Sequence, residues 1–281
     1  MSRYLFAKKR AIRVVLLWCL IFVVMWSFGP ILFVIVSSFK FPRDIFTVTP
    51  RLFFTPTIYN YRQLIAGWPD FWSSLLNSTL VTFGTCVLMA VLSCPAAYAL
   101  SRMRGKAISI TGLFLIIIRM FPPIVVSIPL YPVFTFIRLV DTPWSLILIF
   151  TAFEVSVTVW ILKAFLDGIP KELEEAAWID GCSKLRAFLY IVAPLLAPGI
   201  VSAGVITALY AWNEFMFSLV FTSIRAKTAP VVISEMLSAV TGVEWGPVFA
   251  AATLQLMPAL LVIWAGQRYL VKGITLGGVR E

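Results

Sequence analysis

The chain has 281 residues, 60% of them hydrophobic and 13% charged, with 23 Lys and Arg against 13 Asp and Glu and no histidine. Ordinary soluble proteins carry roughly 25% charged residues, so this composition excludes a water-soluble globular domain. Without histidine, the commonest metal ligand and the commonest general base are both missing.

Arg3, Lys8, Lys9, Arg10 and Arg13 precede the first charge-free run, residues 14–39. About 20 apolar residues cross the hydrocarbon core of a bilayer, so this run predicts a membrane span. It is too long for a cleavable leader, and no small-residue cleavage site follows it. Residues 40–70 then form the largest loop, with Pro42, Pro50, Pro56 and Pro69 set among Phe53, Phe54, Tyr59 and Tyr61. This composition predicts irregular chain plus a short helix over 59–66. Both a plain connector and a surface that receives a partner fit it.

A second charge-free run covers residues 71–101 and a third covers 245–267. Three further spans are interrupted. Residues 107–137 hold one charge, Arg119, and the prolines Pro122, Pro123, Pro129 and Pro132. Such prolines free backbone carbonyls, which a membrane tolerates only where protein or a cavity satisfies them, so this span is expected to be kinked or broken. Residues 142–162 hold only Glu154, which we assign a structural role, and residues 187–222 hold only Glu214. Six spans, an all-α polytopic membrane protein and one transmembrane domain over 1–281 follow. Cys19, Cys86, Cys94 and Cys182 lie in these runs or in one polar island, so disulfides are not expected.

Alternating loops between six spans collect fifteen Lys and Arg on one side and seven on the other. The positive-inside rule places the richer side, with both termini, in the cytoplasm. It comprises an N-terminal arm (1–13), a polar region over about 167–187 and a tail over about 268–281. The basicity is therefore topological and implies no nucleic-acid partner; membrane lipid is the surrounding medium.

The polar island, Pro170-Lys-Glu-Leu-Glu-Glu-Ala-Ala-Trp-Ile-Asp180-Gly181, interrupts two long apolar runs. Pro170 suits a first helical position, and Glu172, Glu174 and Glu175 suit the positive end of a helix dipole. Gly181 predicts the stop, and Ser183 a cap for a following helix that runs through Lys184 and Arg186 toward Pro194. The predicted form is a helix, a glycine turn and a second helix held against one membrane face. That is the shape of a docking knob, although a solvated loop would share its polarity.

Enzyme motifs are missing. There is no phosphate-binding G-x-x-x-x-G-K-[ST] loop, no G-x-S-x-G elbow and no H-E-x-x-H pair, so neither ATP hydrolysis by this chain alone nor a membrane-embedded enzyme is expected. An ion-coupled secondary transporter would need acidic groups within the spans. Only Glu154 and Glu214 qualify, and that reading leaves the island unexplained.

Glu175, Ala176, Ala177, Gly181, Ile191 and Pro194 stand at the spacing E-A-A-x(3)-G-x(9)-I-x-L-P. This pattern resembles the signature of binding-protein-dependent ABC importer permeases, departing at Ala193, where leucine is usual. Tyr210-Ala-Trp-Asn-Glu-Phe215 and the tail from Gln267 to Gly278 are similar to the carbohydrate-uptake branch, the maltose permease G type. The resemblance covers nearly the whole chain. It implies an ABC type I importer permease fold that moves a sugar or related polyol across the inner membrane by alternating access. It also implies four partners: a second homologous permease, two copies of a cytoplasmic ATPase that hold the ATP and Mg, and an extracytoplasmic solute-binding protein. No cofactor or metal is expected on this chain.

Under the resemblance Glu175, Ala176, Ala177, Asp180, Gly181, Ile191 and Pro194 form the ATPase-coupling motif. The alanines allow close approach and Gly181 sets the bend. The tail would enter the ATPase dimer interface, where Gly277 and Gly278 permit close backbone approach. A mid-membrane charge costs roughly 2.5–3.5 kcal/mol on insertion scales and so faces a cavity or a partner, or snorkels from a boundary. Arg119, Asn213 and Glu214 are therefore candidates for the solute path or the interface between permeases, and Tyr210 and Trp212 for stacking on a sugar face. The runner-up substrate class is glycerol phosphate or another modified sugar, which would ask for several cations in the path.

Overall fold

The computed structural model describes residues 2–47, 53–239 and 242–278, with side chains described from Ile12 to Tyr269 within those stretches. The described residues contain helices and no strands. Their contacts divide the chain into two compact units, Met1–Pro69 with Glu235–Gln255, and Asp70–Ser234 with Leu256–Glu281.

The first unit begins with α1 (Ser2–Ser38), so the basic arm and the first span are one helix, apolar enough to cross a membrane over Ile12–Ser38. Most of its apolar side chains, Trp18, Met25 and Trp26 among them, are exposed rather than packed. A helix apolar on every side belongs in lipid or against another apolar surface. The loop that follows holds α2 (Pro42–Ile45) and α3 (Tyr59–Gly67), the short helix that the sequence predicts. Asn60, wholly buried, ties this loop to the end of α1: its Nδ2 donates to Ser38 O at 2.8 Å and to Lys40 O at 2.7 Å. Gly246 lies so close to the Asn60 amide that a Cβ there would overlap it.

The second unit is organised around α7 (Pro143–Asp167), which follows α4 (Asp70–Arg102), α5 (Lys106–Ile118) and α6 (Pro123–Phe136). Along α4 the buried positions Ser74, Ser78, Val81, Thr85, Met89, Ser93 and Ala97 recur every three or four residues and form one stripe. Most of these side chains are small, which lets helices approach closely where no hydrophobic force drives them together. Helices α5 and α6 meet at a bend of 101°, so the proline-rich span is broken as expected. The cause is local. Pro122 and Pro123 remove donors, and the residue before a proline is pushed out of the helical region.

Beyond α7 come α8 (Glu172–Ile179), α9 (Lys184–Ala187), a π-helical segment (Phe188–Val192) and α10 (Ala193–Asn213), the last three continuous. The span foreseen over 187–222 is not one rod. Glu214 adopts extended backbone and separates α10 from α11 (Met216–Phe221). Then follow α12 (Ala229–Leu237) and α13 (Trp245–Gly278). Five described helices are long and apolar enough to span, or six if the bent α5–α6 pair is counted as one span.

Two apolar clusters share α7. One holds Leu146, Phe150 and Phe153 with Val81, Ala211 and Phe217; the other holds Val159, Leu162 and Leu166 with Ala97, Leu196 and Ala203. Between them α7 buries Glu154, Ser156 and Thr158. A polar waist thus lies between two greasy cores.

The loop after α11 is held by side chains rather than by a ladder. Asp141, in left-handed backbone at φ 59°, accepts the N–H groups of Ser223, Ile224, Arg225 and Ala226 at 3.0–3.2 Å. Asn77 Nδ2 donates to the carbonyls of Arg225 at 2.8 Å and Lys227 at 3.0 Å.

Candidate functional site

The island forms the predicted helix–turn–helix. Pro170 does not open α8 but precedes it: the first turn closes on the carbonyl of Lys171, which accepts from Glu174 N at 2.9 Å and Glu175 N at 3.0 Å. The three glutamates occupy the first turn, as the dipole favours. Gly181, at φ +88°, ends the helix in a paired motif: Cys182 N donates to Ala177 O at 2.9 Å and Gly181 N to Trp178 O at 3.1 Å. A left-handed residue is required there, and glycine supplies it without a steric penalty. Ser183 Oγ then accepts Arg186 N at 3.4 Å and caps the next helix. Lys184 Nζ lies 5.7 Å from the Trp178 ring centre across the turn.

Helix α8 has two different faces. One carries Glu174 and Ala177, both buried. The other leaves Glu175, Ala176 and Asp180 exposed, with Ile179 86% exposed and Leu173 and Leu185 also open. Exposed apolar side chains grouped on a polar knob mark an interaction surface. Ile191 is half-buried in the π segment, and Pro194 is exposed at the start of α10.

Glu174 was not singled out by the motif, yet it is the most engaged residue of the island. Its Oε1 accepts Arg102 Nε at 2.7 Å and its Oε2 accepts Tyr98 Oη at 2.6 Å. Arg102 also donates through Nη2 to Ile169 O at 3.0 Å. Tyr98 and Arg102 stand one turn apart on α4 and so point the same way. That spacing was available in the sequence; their partner 72 residues further on was not.

The membrane charges find partners too. Arg119, just past the end of α5, donates Nη1 to Glu154 Oε1 at 2.9 Å, and Glu154 Oε2 accepts Thr207 Oγ1 of α10 at 3.3 Å. The guanidinium also lies 5.9 Å from the Tyr210 ring centre. A cavity of about 400 Å³ opens beside Arg119, lined by Ser156, Trp160 and apolar groups of α5 and α7. Of the candidate path residues, Arg119 and Tyr210 come together, joined by Glu154. The signal for that pair was two lone opposite charges in adjacent spans. Trp212 is buried, and Asn213 Nδ2 donates to Leu209 O of its own helix at 2.8 Å. Glu214 turns its carboxylate onto the N–H groups of Phe217 at 3.0 Å and Ser218 at 3.2 Å, which caps α11. Gly277 and Gly278 close α13, but side chains beyond Tyr269 and the whole of residues 279–281 lie outside the described residues.

Residues 87–276 match the family of the binding-protein-dependent transport system inner membrane component. A probable ABC transporter permease protein, YurM of Bacillus subtilis (strain 168), is 33% identical over 269 residues, covering 94% of this chain and 87% of that protein. The trehalose/maltose transport system permease protein MalG of Thermococcus litoralis is 30% identical over 253 residues, covering 89% and 91%. Among solved structures, a chain of a bacterial ABC transporter involved in the import of the acidic polysaccharide alginate superposes with a TM-score of 0.78. It is 19% identical and the match covers 93% of this chain and 97% of that one, a likeness of fold.

Proposed function

Since the chain belongs to the inner membrane components of binding-protein-dependent transport systems, we propose that it is a sugar-importing permease whose α8 limb receives the force of a separate ATPase. The observation that carries this reading is the two-faced α8. Its inner side is fixed to α4, while Glu175, Ala176, Asp180 and Ile179 stand open for a partner. On that open face Ala176 allows close approach, Ala177 lying on the buried side, and Gly181 fixes the angle at which the limb returns to the membrane.

The chain works as one transmembrane domain with both termini and the island in the cytoplasm, where Lys and Arg are concentrated. It pairs with a second, homologous permease and two ATPase copies, which hold ATP and Mg, and takes solute from an extracytoplasmic binding protein. Gly277 and Gly278 bring the tail to the ATPase dimer. Closure of that dimer moves α8, and the spans alternate between two accessible states. Work is transmitted only because the ATPase's two states contact α8 differently. Arg119, Tyr210, Trp212, Asn213 and Glu214 serve the solute path or the permease interface. A sugar suits this wall better than a phosphorylated solute, because the charge of Arg119 is already matched by Glu154.

The test is a Glu175→Lys, Ile179→Glu double variant, neither side chain being needed for the fold. The permease pair should still assemble, while ATPase capture in a pull-down falls about tenfold, about 1.4 kcal/mol of lost interface. Undiminished capture would end the reading.

A further inference from the structure

We propose that Arg102 is a positioning residue that makes α8 and the end of α4 a single rigid lever. This inference rests on reading α8 as the helix that receives the ATPase. Nothing in the coupling motif includes Arg102, Tyr98 or Glu174, yet these three side chains close the only described ion pair between α4 and the island.

The argument starts from connectivity. Helix α8 is attached to its neighbours in sequence by two weak points, the non-helical Gly168–Lys171 stretch and the left-handed Gly181. Each can absorb a change of backbone angle, so chain connectivity alone would let α8 swivel when pushed. Hinges of this kind are a few loop or element-terminal residues. The clamp removes that freedom. The side chain of Glu174 is 2% exposed and that of Arg102 10%, so water competes little for either. Both oxygens of Glu174 are used, one by Arg102 Nε and one by Tyr98 Oη. Arg102 Nη2 meanwhile holds the carbonyl of Ile169, inside the first weak point. On the far side of the turn, the Tyr98 ring packs edge-on against Phe188 at 5.0 Å, at the start of the π segment. One turn of α4 thus grips the helix and a residue on each side of it.

One further link extends the grip. Ser101 Oγ donates to Asp167 Oδ1 at 2.7 Å, fastening the end of α7 to the same turn, while Lys163 Nζ of α7 itself holds the other oxygen of Asp167 at 2.6 Å. A displacement imposed on α8 is therefore delivered to α4 and α7 together, and α7 is the helix around which the second unit packs. Solvation of the island would need none of this. A merely soluble loop keeps its glutamates in water, whereas Glu174 has been taken out of it.

The experiment is a distance measurement by electron paramagnetic resonance on the complex assembled with its ATPase, with MgATP as the probe. Spin labels go on Glu172→Cys in α8 and Leu92→Cys on the exposed side of α4, in a background where the native cysteines are serine. The expected wild-type result is one narrow distance that MgATP leaves unchanged, since a lever moves as a body. Arg102→Gln and Glu174→Gln should each broaden that distribution about twofold once MgATP is added, because the hinges are then free to bend. The exchange Arg102→Glu with Glu174→Arg should narrow it again, a rescue that a role in bulk packing does not give. A narrow, MgATP-insensitive distance in assembled Arg102→Gln overturns the proposal. If Arg102→Gln does not assemble, Tyr98→Phe removes one hydrogen bond only; broadening supports the lever and an unchanged distribution overturns it. The Glu175→Lys, Ile179→Glu variant separates the two readings. ATPase capture undiminished by that pair defeats the docking reading, whereas the distance in Arg102→Gln speaks to the clamp.

Discussion

Both carboxylate oxygens of Asp141 lie 3.1 Å from the backbone nitrogen of Arg225. Three neighbouring N–H groups join it, so a short bridge between α6 and α7 folds the loop that leaves α11. Burial alone would raise the Asp141 pKa, but the N–H donors of Ser223, Arg225, Ala226 and Ile224 outweigh it and hold the group at about 2. A depressed carboxylate stabilises the folded state above its unfolded value, about 3.9, and the contribution is lost as pH falls through about 2. Amide protection of Ile224 and Arg225 in detergent, measured relative to the intrinsic exchange rate at each pH, should therefore fall between about pH 4 and about pH 2. Asp141→Asn should lower protection there by roughly tenfold at neutral pH, since bonds to a charged acceptor contribute about 1.5–3 kcal/mol. It should also flatten the pH profile; equal protection in the two proteins would refute the account.

Removing one member of the Arg119–Glu154 pair leaves the other charge in the waist. Arg119→Met should cost about 2–4 kcal/mol, somewhat below the figure for a fully enclosed pair because Arg119 is 36% exposed. The double change Arg119→Met with Glu154→Leu should recover most of that loss. Thermal unfolding followed by tryptophan fluorescence distinguishes the cases: a double variant no more stable than Arg119→Met counts against the pair.

Gly246 and Gly29 make a matched comparison. A Cβ on Gly246 meets the buried Asn60 amide, which holds the end of α1, whereas one on Gly29 meets nothing within 4 Å. Gly246→Ala should destabilise the first unit by about 1–3 kcal/mol, the usual cost of forced overpacking. Limited proteolysis in the 40–70 loop should quicken for Gly246→Ala and stay at the wild-type rate for Gly29→Ala.

At Gly181 the backbone rather than space decides. Nothing lies near its Cβ position, yet φ is +88°. Gly181→Ala should therefore weaken the turn by about 1–2 kcal/mol, the left-handed penalty, with Gly181→Asn milder. Exchange of the Cys182 amide, which donates to Ala177, measures it.

The spans, their kinked member and the helix–turn–helix of the island were legible because each rests on local chemistry: uninterrupted apolar runs, paired prolines, a glycine stop, a serine cap. Contacts between distant residues were not. Glu174 looked like one of three dipole-satisfying glutamates, and only the packing of α8 onto α4 separates it from Glu172 and Glu175. Glu214 looked like a mid-span charge; it is also the acceptor that lets α10 stop and α11 begin, a function set by the extended backbone at that residue. Similarly, Asp141 drew no attention as a lone loop acid, since its four donors are more than 80 residues away.

Arg119 and Glu154 also settle how the waist answers to voltage. One elementary charge carried across a membrane exchanges about 2.3 kcal/mol with each 100 mV of potential. Here two opposite charges sit 2.9 Å apart and are held by neighbouring helices, so a shift that carries both does nearly equal and opposite electrical work on each. This wall can rearrange without drawing on the membrane potential or being opposed by it. An energised membrane would leave its conformational balance where packing and partners set it.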